Sequence, residues 1–136
     1  GEAFDVIIID STDAEGPGAV LFTEAFYAAC KARLAPGGVM VNQSGVSFLQ
    51  PDVIKATAKR LAGLFAHRTI YTAPAPSYVG GVMALGFASD EASRFAPGLQ
   101  ALQARYRARD LRTRHYTPEI HQAAFVLTPE LARAIG

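Results

Sequence analysis

The chain has 136 residues, of which 50% are hydrophobic and 18% charged, and this balance indicates one folded domain with a substantial core. The net charge of +1 gives no reason to expect a nucleic-acid partner. No apolar stretch reaches the roughly 18 residues of a membrane helix, and we expect neither a membrane span nor a secretory signal. Cys30 is the only cysteine, so no internal disulfide can form, and we expect a soluble cytoplasmic protein. Because the charged fraction lies below about a quarter, part of the surface is expected to be covered by chain outside this sequence.

The opening stretch places acidic residues directly after a strand. Residues 6–9 are all β-branched, which predicts a strand covered on both faces, as in the centre of a parallel α/β sheet. Asp10 follows, and Asp13 lies in a segment that the glycines and proline of 16–18 force to turn. Ligands bind beyond the carboxyl ends of parallel strands, so both carboxylates are candidate ligand contacts. The alternative for Asp10 is a helix cap or an Asx-turn without a binding role.

The next segments alternate between helical and strand patterns. Apolar residues at spacings of three and four predict a helix over 23–35, ended by the Pro-Gly-Gly run at 36–38. A short buried strand is predicted over 39–41, followed by a loop over 42–46 that is rich in amide and hydroxyl groups. Proline then opens a predicted helix over 51–65.

The rest of the chain continues the alternation. Strands are predicted over 68–71 and 82–88, and Pro74 and Pro76 rule out a helix between them. This pattern predicts an α/β fold with a mostly parallel, doubly wound sheet, flanking helices and one antiparallel strand near the end. A central strand pairs on both edges, so missing chain is expected to pair the open edge of the first strand. The remaining predicted elements are a helix over 97–109, a turn into a short helix or irregular segment from 116, and a last helix from 128.

Charge is distributed unevenly along the chain. Residues 1–52 contain seven acids and two bases, which suits a cationic ligand better than a phosphate. Residues 105–114 contain five arginines, which we interpret as a solvated helix face or an intersubunit surface rather than a polyanion site.

Two other kinds of site are not supported. The three histidines, at 67, 115 and 121, lack the spacing of metal ligands, so no metal site is predicted. Ser44 and Ser47 have neither a nearby histidine nor the glycines of a nucleophile elbow, which argues against a serine hydrolase.

Four stretches, in the same order and covering nearly the whole chain, resemble the signature of the polyamine aminopropyltransferases, the spermidine synthases. The last of them is most similar to bacterial members. The stretches are Asp10-Ser11-Thr12-Asp13 with Gly16-Pro17 and residues 21–27, then 43–50, 76–81 and 114–125.

The resemblance implies a Rossmann-like fold of the methyltransferase type and a transfer reaction. An aminopropyl group would pass from decarboxylated S-adenosylmethionine to putrescine or a related amine, giving spermidine and methylthioadenosine. The donor is a co-substrate, and no permanently bound cofactor is implied. The family's N-terminal β-domain and Gly-rich nucleotide loop are not found here, so residues 1–136 would be the C-terminal part of the catalytic domain. The implied partner is the missing half or a second copy.

The resemblance also assigns roles to the acidic loop. Asp10 corresponds to the family's general base, and Asp13 to the acid that holds the acceptor amine. Ser11 and Thr12 lie between them and are expected to contact substrate. Ala14 departs from the family, which has proline there, so this loop is less constrained.

Three further residues are assigned in the same way. Pro17 corresponds to a residue that lines the methylthioadenosine pocket, Gln43 to a polar residue at the site, and Tyr78 to the acceptor-site tyrosine. Tyr78 stands between proline and glycine in a predicted loop, whereas Phe22, Phe26 and Tyr27 have the helical spacing of core positions.

Two other interpretations remain open. The chain could be a non-catalytic polyamine-binding or assembly module derived from such an enzyme, and an upstream reading frame with a Gly-rich nucleotide loop would argue against that. A methyltransferase of the same fold is weakened because the acidic loop lacks the Pro-Pro-aromatic run used for amino-group methylation in that family.

Overall fold

The computed structural model describes residues 1–12, 14–79, 81–95 and 97–136. Within these ranges the chain forms a four-stranded sheet with helical segments packed on both faces. No helix in this part of the chain is long and apolar enough to cross a membrane. The strands are β1 (Phe4–Ile9), β2 (Leu34–Val46), β3 (His67–Pro74) and β4 (Val82–Ser89), the helices are α1 (Glu24–Lys31), α2 (Pro51–Leu64), α3 (Leu99–Ala108), α4 (Pro118–Ala124) and α5 (Pro129–Ile135), and short 3₁₀ helices span Gly16–Phe22 and Ala92–Arg94.

The strand order is β1-β2-β4-β3. β1 pairs with β2 in parallel, while β4 lies between β2 and β3 and is antiparallel to both. Among the described residues, three strands therefore run in one direction and β4 alone runs against them. The predicted α/β fold with flanking helices and one antiparallel strand is confirmed.

Threonine and proline determine where several helices begin. The hydroxyls of Thr23, Thr117 and Thr128 accept hydrogen bonds from backbone N–H groups in the first turns of α1, α4 and α5. Proline occupies the first turn of α2, α4 and α5, where its missing N–H breaks no helical hydrogen bond. The predicted starts of the second helix and the last helix are therefore confirmed.

Most of the core lies between one face of the sheet and the helices α1, α2 and α5. One buried cluster joins Tyr27 of α1 and Leu61 of α2 to Met40 of β2. A second cluster joins Ile70 of β3 to Leu131 of α5. The opposite face is covered at β3 and β4 by aromatic rings, among them Tyr71, Phe87 and Phe125.

Two predicted boundaries are wrong. The helix predicted over 23–35 is α1, which ends at Lys31, and the Pro-Gly-Gly run at 36–38 lies inside β2. The loop predicted over 42–46 is also part of β2. The strand continues there because the polar side chains of 42–44 find hydrogen-bond partners inside the protein, although the sequence has the composition of a loop.

β1 is covered on only one face by the described part of the chain. Ile7 and Ile9 pack against the core cluster on the α1 side. On the other face Phe4, Val6 and Ile8 are 47%, 53% and 73% exposed. The expectation of cover on both faces is therefore not met within these residues, and β1 lies at the edge of the sheet.

Candidate active site

The carboxyl-terminal part of β1 lies beside the same part of β2. Ile9 pairs with Asn42 in the parallel ladder, so Asp10, which follows β1, lies next to Gln43 at this edge of the sheet. Ser11 joins the two segments, because its Oγ donates a hydrogen bond to Gln43 Oε1 at 3.2 Å. The structure thus brings together three of the predicted site residues.

The side chain of Gln43 is held by contacts at both ends of its amide. It is 5% exposed. Its Oε1 accepts from Ser11, and its Nε2 donates a weak hydrogen bond to Met83 Sδ at 3.6 Å. This arrangement turns the amide oxygen toward the segment that carries Asp10, where the oxygen can also accept from a cationic ligand.

The described residues of the acidic loop are more exposed than Gln43. Asp10 and Thr12 are exposed and Ser11 is half-buried. Pro17 is in the first turn of the 3₁₀ helix Gly16–Phe22 and is also exposed. The prediction for Asp13 lies outside the described residues.

Tyr78 lies in the connection between β3 and β4, at the same edge of the sheet. Its backbone N–H donates to the Ala75 carbonyl at 2.9 Å, and its own carbonyl accepts from the Gly81 N–H at 3.0 Å. These bonds form a tight turn that leaves the Tyr78 side chain 46% exposed. The turn projects from the end of β3, which runs parallel to β1, so Tyr78 and Asp10 share the carboxyl edge.

A buried polar cluster behind Gln43 was missed by the sequence interpretation. Asn42 Nδ2 donates to the Tyr27 hydroxyl at 3.0 Å, and Ser44 Oγ accepts from the Gly86 N–H at 3.1 Å. Burial raises the pKa of the Tyr27 hydroxyl, which keeps this group protonated. The signal in the sequence was the spacing of two between Asn42 and Ser44, which puts both side chains on one face of a strand.

A cavity of about 250 Å³ lies on the sheet face opposite α1 and α2. Its lining includes Tyr71, Phe87, Tyr116 and Phe125 together with His121, whose pKa is lowered by burial. Within the described ranges, no group of three or more histidine, cysteine, aspartate or glutamate side chains is placed to hold a metal ion. The ring contacts among the lining residues indicate a packing role for this region.

Comparison with protein families and curated proteins gives consistent matches. A family model described as the spermine/spermidine synthase domain matches residues 1–96. Polyamine aminopropyltransferase 1 of Pseudomonas aeruginosa is 44% identical over 135 residues, covering 99% of this chain and 47% of that protein. The polyamine aminopropyltransferase of Ruegeria sp. is 46% identical over 126 residues, covering 93% of this chain and 44% of that protein. The chain thus spans somewhat less than half the length of these relatives.

Solved structures agree with the sequence comparisons. A crystal structure of spermidine synthase in complex with the transition-state analogue AdoDATO superposes with a TM-score of 0.89 at 30% identity, covering 99% of this chain and 45% of the other. Spermidine synthase from Thermotoga maritima gives a TM-score of 0.85 at 30% identity, with 99% and 44% covered. The fold of the chain is therefore that of the corresponding part of these proteins.

Proposed function

Because this chain belongs to the spermine/spermidine synthase family, we propose that it is part of a polyamine aminopropyltransferase. The reaction is transfer of an aminopropyl group from decarboxylated S-adenosylmethionine to putrescine or a related amine, with spermidine and methylthioadenosine as products. The hydrogen bond between Ser11 and Gln43 is the observation that carries this proposal, since it holds the Asp10 segment beside an amide acceptor at the carboxyl edge of the sheet.

The charge of the substrates explains why carboxylates are needed. The donor is a sulfonium and the acceptor is a protonated diamine in water, so bringing them together requires nearby negative charge. Such charge is effective when the site excludes water and the groups are already in position. Asp10 and Asp13 supply two carboxylates, within a segment of seven acids and two bases over residues 1–52.

The proton balance limits what Asp10 does. An ordinary alkyl ammonium has a pKa of about 10.4 and an ordinary aspartic acid about 3.9, so full proton abstraction before the reaction would cost roughly 8 to 9 kcal/mol. We propose that burial and the adjacent sulfonium make the amine easier to deprotonate. Its nitrogen then attacks the aminopropyl carbon, the carbon–sulfur bond breaks with its electrons moving to sulfur, and Asp10 accepts the proton.

The other predicted residues complete the proposed site. Asp13 and Tyr78 orient the acceptor amine, and Gln43 Oε1 accepts a hydrogen bond from an ammonium group. Thr12 contacts the substrate beside the acids, and Pro17 lines the methylthioadenosine pocket. The location of Tyr78 and Gln43 at the carboxyl edge supports these assignments.

The relatives are about twice as long as this chain, so we propose that a complete enzyme of this kind includes a second half. We assign residues 1–136 to the C-terminal part of the catalytic domain, and the nucleotide-binding loop to the other half of the cytoplasmic enzyme. The exposed face of β1 supports packing of that half there, since Phe4, Val6 and Ile8 are apolar and about half or more exposed. A second copy of this chain is the alternative occupant.

A substitution pair tests the function in the longest form of the protein that its gene encodes. Asp10→Asn is expected to lower methylthioadenosine release from decarboxylated S-adenosylmethionine and putrescine by about 100- to 10,000-fold, because the proton acceptor is lost. Asp52→Asn is the matched control, since Asp52 is an exposed acid in the first turn of α2. Equal turnover of Asp10→Asn and Asp52→Asn contradicts the role of Asp10.

The test also separates catalysis from binding alone. If the unsubstituted protein binds putrescine in a calorimeter but releases no methylthioadenosine, it is a non-catalytic polyamine-binding module. A radiolabelled amine identifies the acceptor when putrescine, cadaverine, agmatine and spermidine are compared. Release with any of them supports aminopropyl transfer.

A further inference from the structure

The stretch from Asn42 to Ser44 presents polar side chains to both faces of the sheet. Successive side chains of a strand point in opposite directions, so Gln43 faces the candidate site while Asn42 and Ser44 face the core against α1 and α2. Asn42 is 1% and Ser44 0% exposed. Two fully buried polar side chains thus lie on either side of a site residue.

These two side chains attach the backbone around Gln43 to two other elements, α1 and β4. Asn42 Nδ2 donates to the Gln43 carbonyl at 3.1 Å and to the Tyr27 hydroxyl of α1 at 3.0 Å. Ser44 Oγ accepts from the Gly86 N–H of β4 at 3.1 Å and lies 3.3 Å from the Asn42 carbonyl, to which it can donate. The β2–β4 register shifts between Gln43 and Val46, so these side-chain bonds fix the backbone where the regular ladder is interrupted.

The cluster is poorly suited to serve as ordinary core packing. Asn42 Oδ1 is buried without a hydrogen-bond partner among the described residues, and such an unsatisfied acceptor costs free energy that an apolar side chain would avoid. Room for this amide also requires glycine opposite it, because a Cβ on Gly86 would lie 2.4 Å from Asn42 Oδ1. A buried polar cluster that leaves one acceptor unpaired beside a candidate site residue points to a role in the site.

We propose that Asn42 and Ser44 are positioning residues that hold the backbone of Gln43, and through it the loop that carries Asp10. Gln43 transmits the effect, because its Oε1 accepts from Ser11 Oγ at 3.2 Å. The inference rests on the proposed function only for its kinetic consequence. The structural consequence, a fixed orientation of the Gln43 amide, is independent of the reaction.

The experiment compares two buried serines in the longest form of the protein. Ser44→Ala removes the hydroxyl between Gly86 and β2. Ser89→Ala is the matched control, since Ser89 is likewise 0% exposed, lies on β4, and donates to the Gly38 carbonyl at 2.8 Å, away from the carboxyl edge. Both variants lose a buried hydroxyl and are expected to melt at lower temperature.

Only Ser44→Ala is expected to change the site. Because a displacement of about 1 Å in a catalytic group can cost about 100-fold in rate, we expect kcat for methylthioadenosine release to fall roughly 10- to 100-fold, with less than about a threefold change in KM for the amine. Ser89→Ala should retain kcat within about twofold. The side-chain amide signal of Gln43 in a nitrogen-15 spectrum, assigned by its loss in Gln43→Leu, should move in Ser44→Ala and stay unchanged in Ser89→Ala.

The possible outcomes distinguish the two proposals. If both serine variants have the same kcat and the same Gln43 amide signal, the positioning role is overturned while aminopropyl transfer stands. If the unsubstituted protein has no transfer activity, the proposed function fails, and the amide signal alone decides the positioning role. Should Ser44→Ala not fold, Ser44→Cys keeps the shape of the side chain with a slightly larger atom that is a weaker donor and acceptor, and the same two measurements apply to it.

Discussion

The two edge strands of the sheet, β1 and β3, differ in how far the chain covers them. Ile70 of β3 is 1% exposed because α2 and α5 pack over it, and Tyr71 on the other face contacts Phe125 at 5.1 Å between ring centroids. Ile8 of β1 is 73% exposed. Two isoleucines in edge strands of one sheet thus have opposite environments, which shows that the described residues pack completely on β3 and incompletely on β1.

This difference has a consequence for the site, because Asp10 follows the incompletely covered strand. In the proposed reaction a carboxylate accepts a proton next to two cationic substrates, and this is most effective in a site that excludes water. The described residues leave Asp10 exposed. Cover over β1 would therefore complete the core and the site together, which accords with relatives that are about twice as long as this chain.

The largest expected effect on stability comes from replacing each of these two isoleucines with alanine. Ile70→Ala should lower the free energy of unfolding by about 2 to 5 kcal/mol, because it leaves a cavity in a buried cluster. Ile8→Ala in the 136-residue chain should cost under about 1 kcal/mol, which is the loss of strand propensity at an exposed position. Urea unfolding measures both.

The same two substitutions, made in the longest form of the protein, test whether β1 is covered there. If the other half packs on β1, the cost of Ile8→Ala should rise to the range of Ile70→Ala, about 2 to 5 kcal/mol. A cost that stays under about 1 kcal/mol would mean that β1 is open in the complete protein as well. A dependence on protein concentration would indicate a second copy as the occupant.

The next largest effect on stability is expected from replacing two glycines of the well-covered part with alanine. A Cβ on Gly86 would lie 2.4 Å from Asn42 Oδ1 and 2.8 Å from Leu61 Cδ1, so Gly86→Ala is expected to cost about 1 to 3 kcal/mol. Gly63 in α2 has open space around its Cβ position, and Gly63→Ala should raise stability by about 0.5 to 1 kcal/mol through helix propensity. Melting temperatures that move in the same direction for both variants would contradict the packing described for β4.

The sequence was sufficient for the order of elements and for the strand that carries the acids. The β-branched run at 6–9 and the Pro51 helix start are strong local signals, and β1 and α2 occur where they were predicted. The position of Asp10 after β1 followed directly from these signals. Local propensity and the final fold agree in these segments, so sequence reasoning was adequate there.

The end of β2 could not be predicted for a physical reason. Asn42, Gln43 and Ser44 have the composition of a loop, and only partners distant in sequence, Tyr27 and Gly86, make a buried strand possible. Such pairings are tertiary contacts that local patterns do not contain. The hydrogen bond between Ser11 and Gln43 is likewise a tertiary contact that local patterns do not contain, although the family resemblance indicates both residues as site residues.

The smallest expected effect on stability comes from an ion pair in the well-packed part of the chain. Lys31 Nζ lies 2.7 Å from Asp90 Oδ2, and Asp90 also accepts from the Ala66 N–H at 2.9 Å, which links α1 to the ends of α2 and β4. The hydrogen bond from Lys31 and that from Ala66 lower the pKa of the Asp90 carboxyl. A lowered pKa in the folded state means that the contribution is complete above about pH 4 and is lost as the pH falls through that lowered value.

Asp90→Asn should therefore reduce stability at pH 7 by under about 1 kcal/mol, because the two side chains are 33% and 50% exposed and solvent screens the pair. The difference from the unsubstituted protein should shrink as the pH falls below about 4, and also in high salt. Asp110→Asn is the control, since its pair with Arg112 is 81% to 84% exposed and should contribute nothing measurable. If the loss of stability in Asp90→Asn is the same at low pH, the packing of this side chain, and not its charge, stabilises the contact of α1 with the covered part of the sheet.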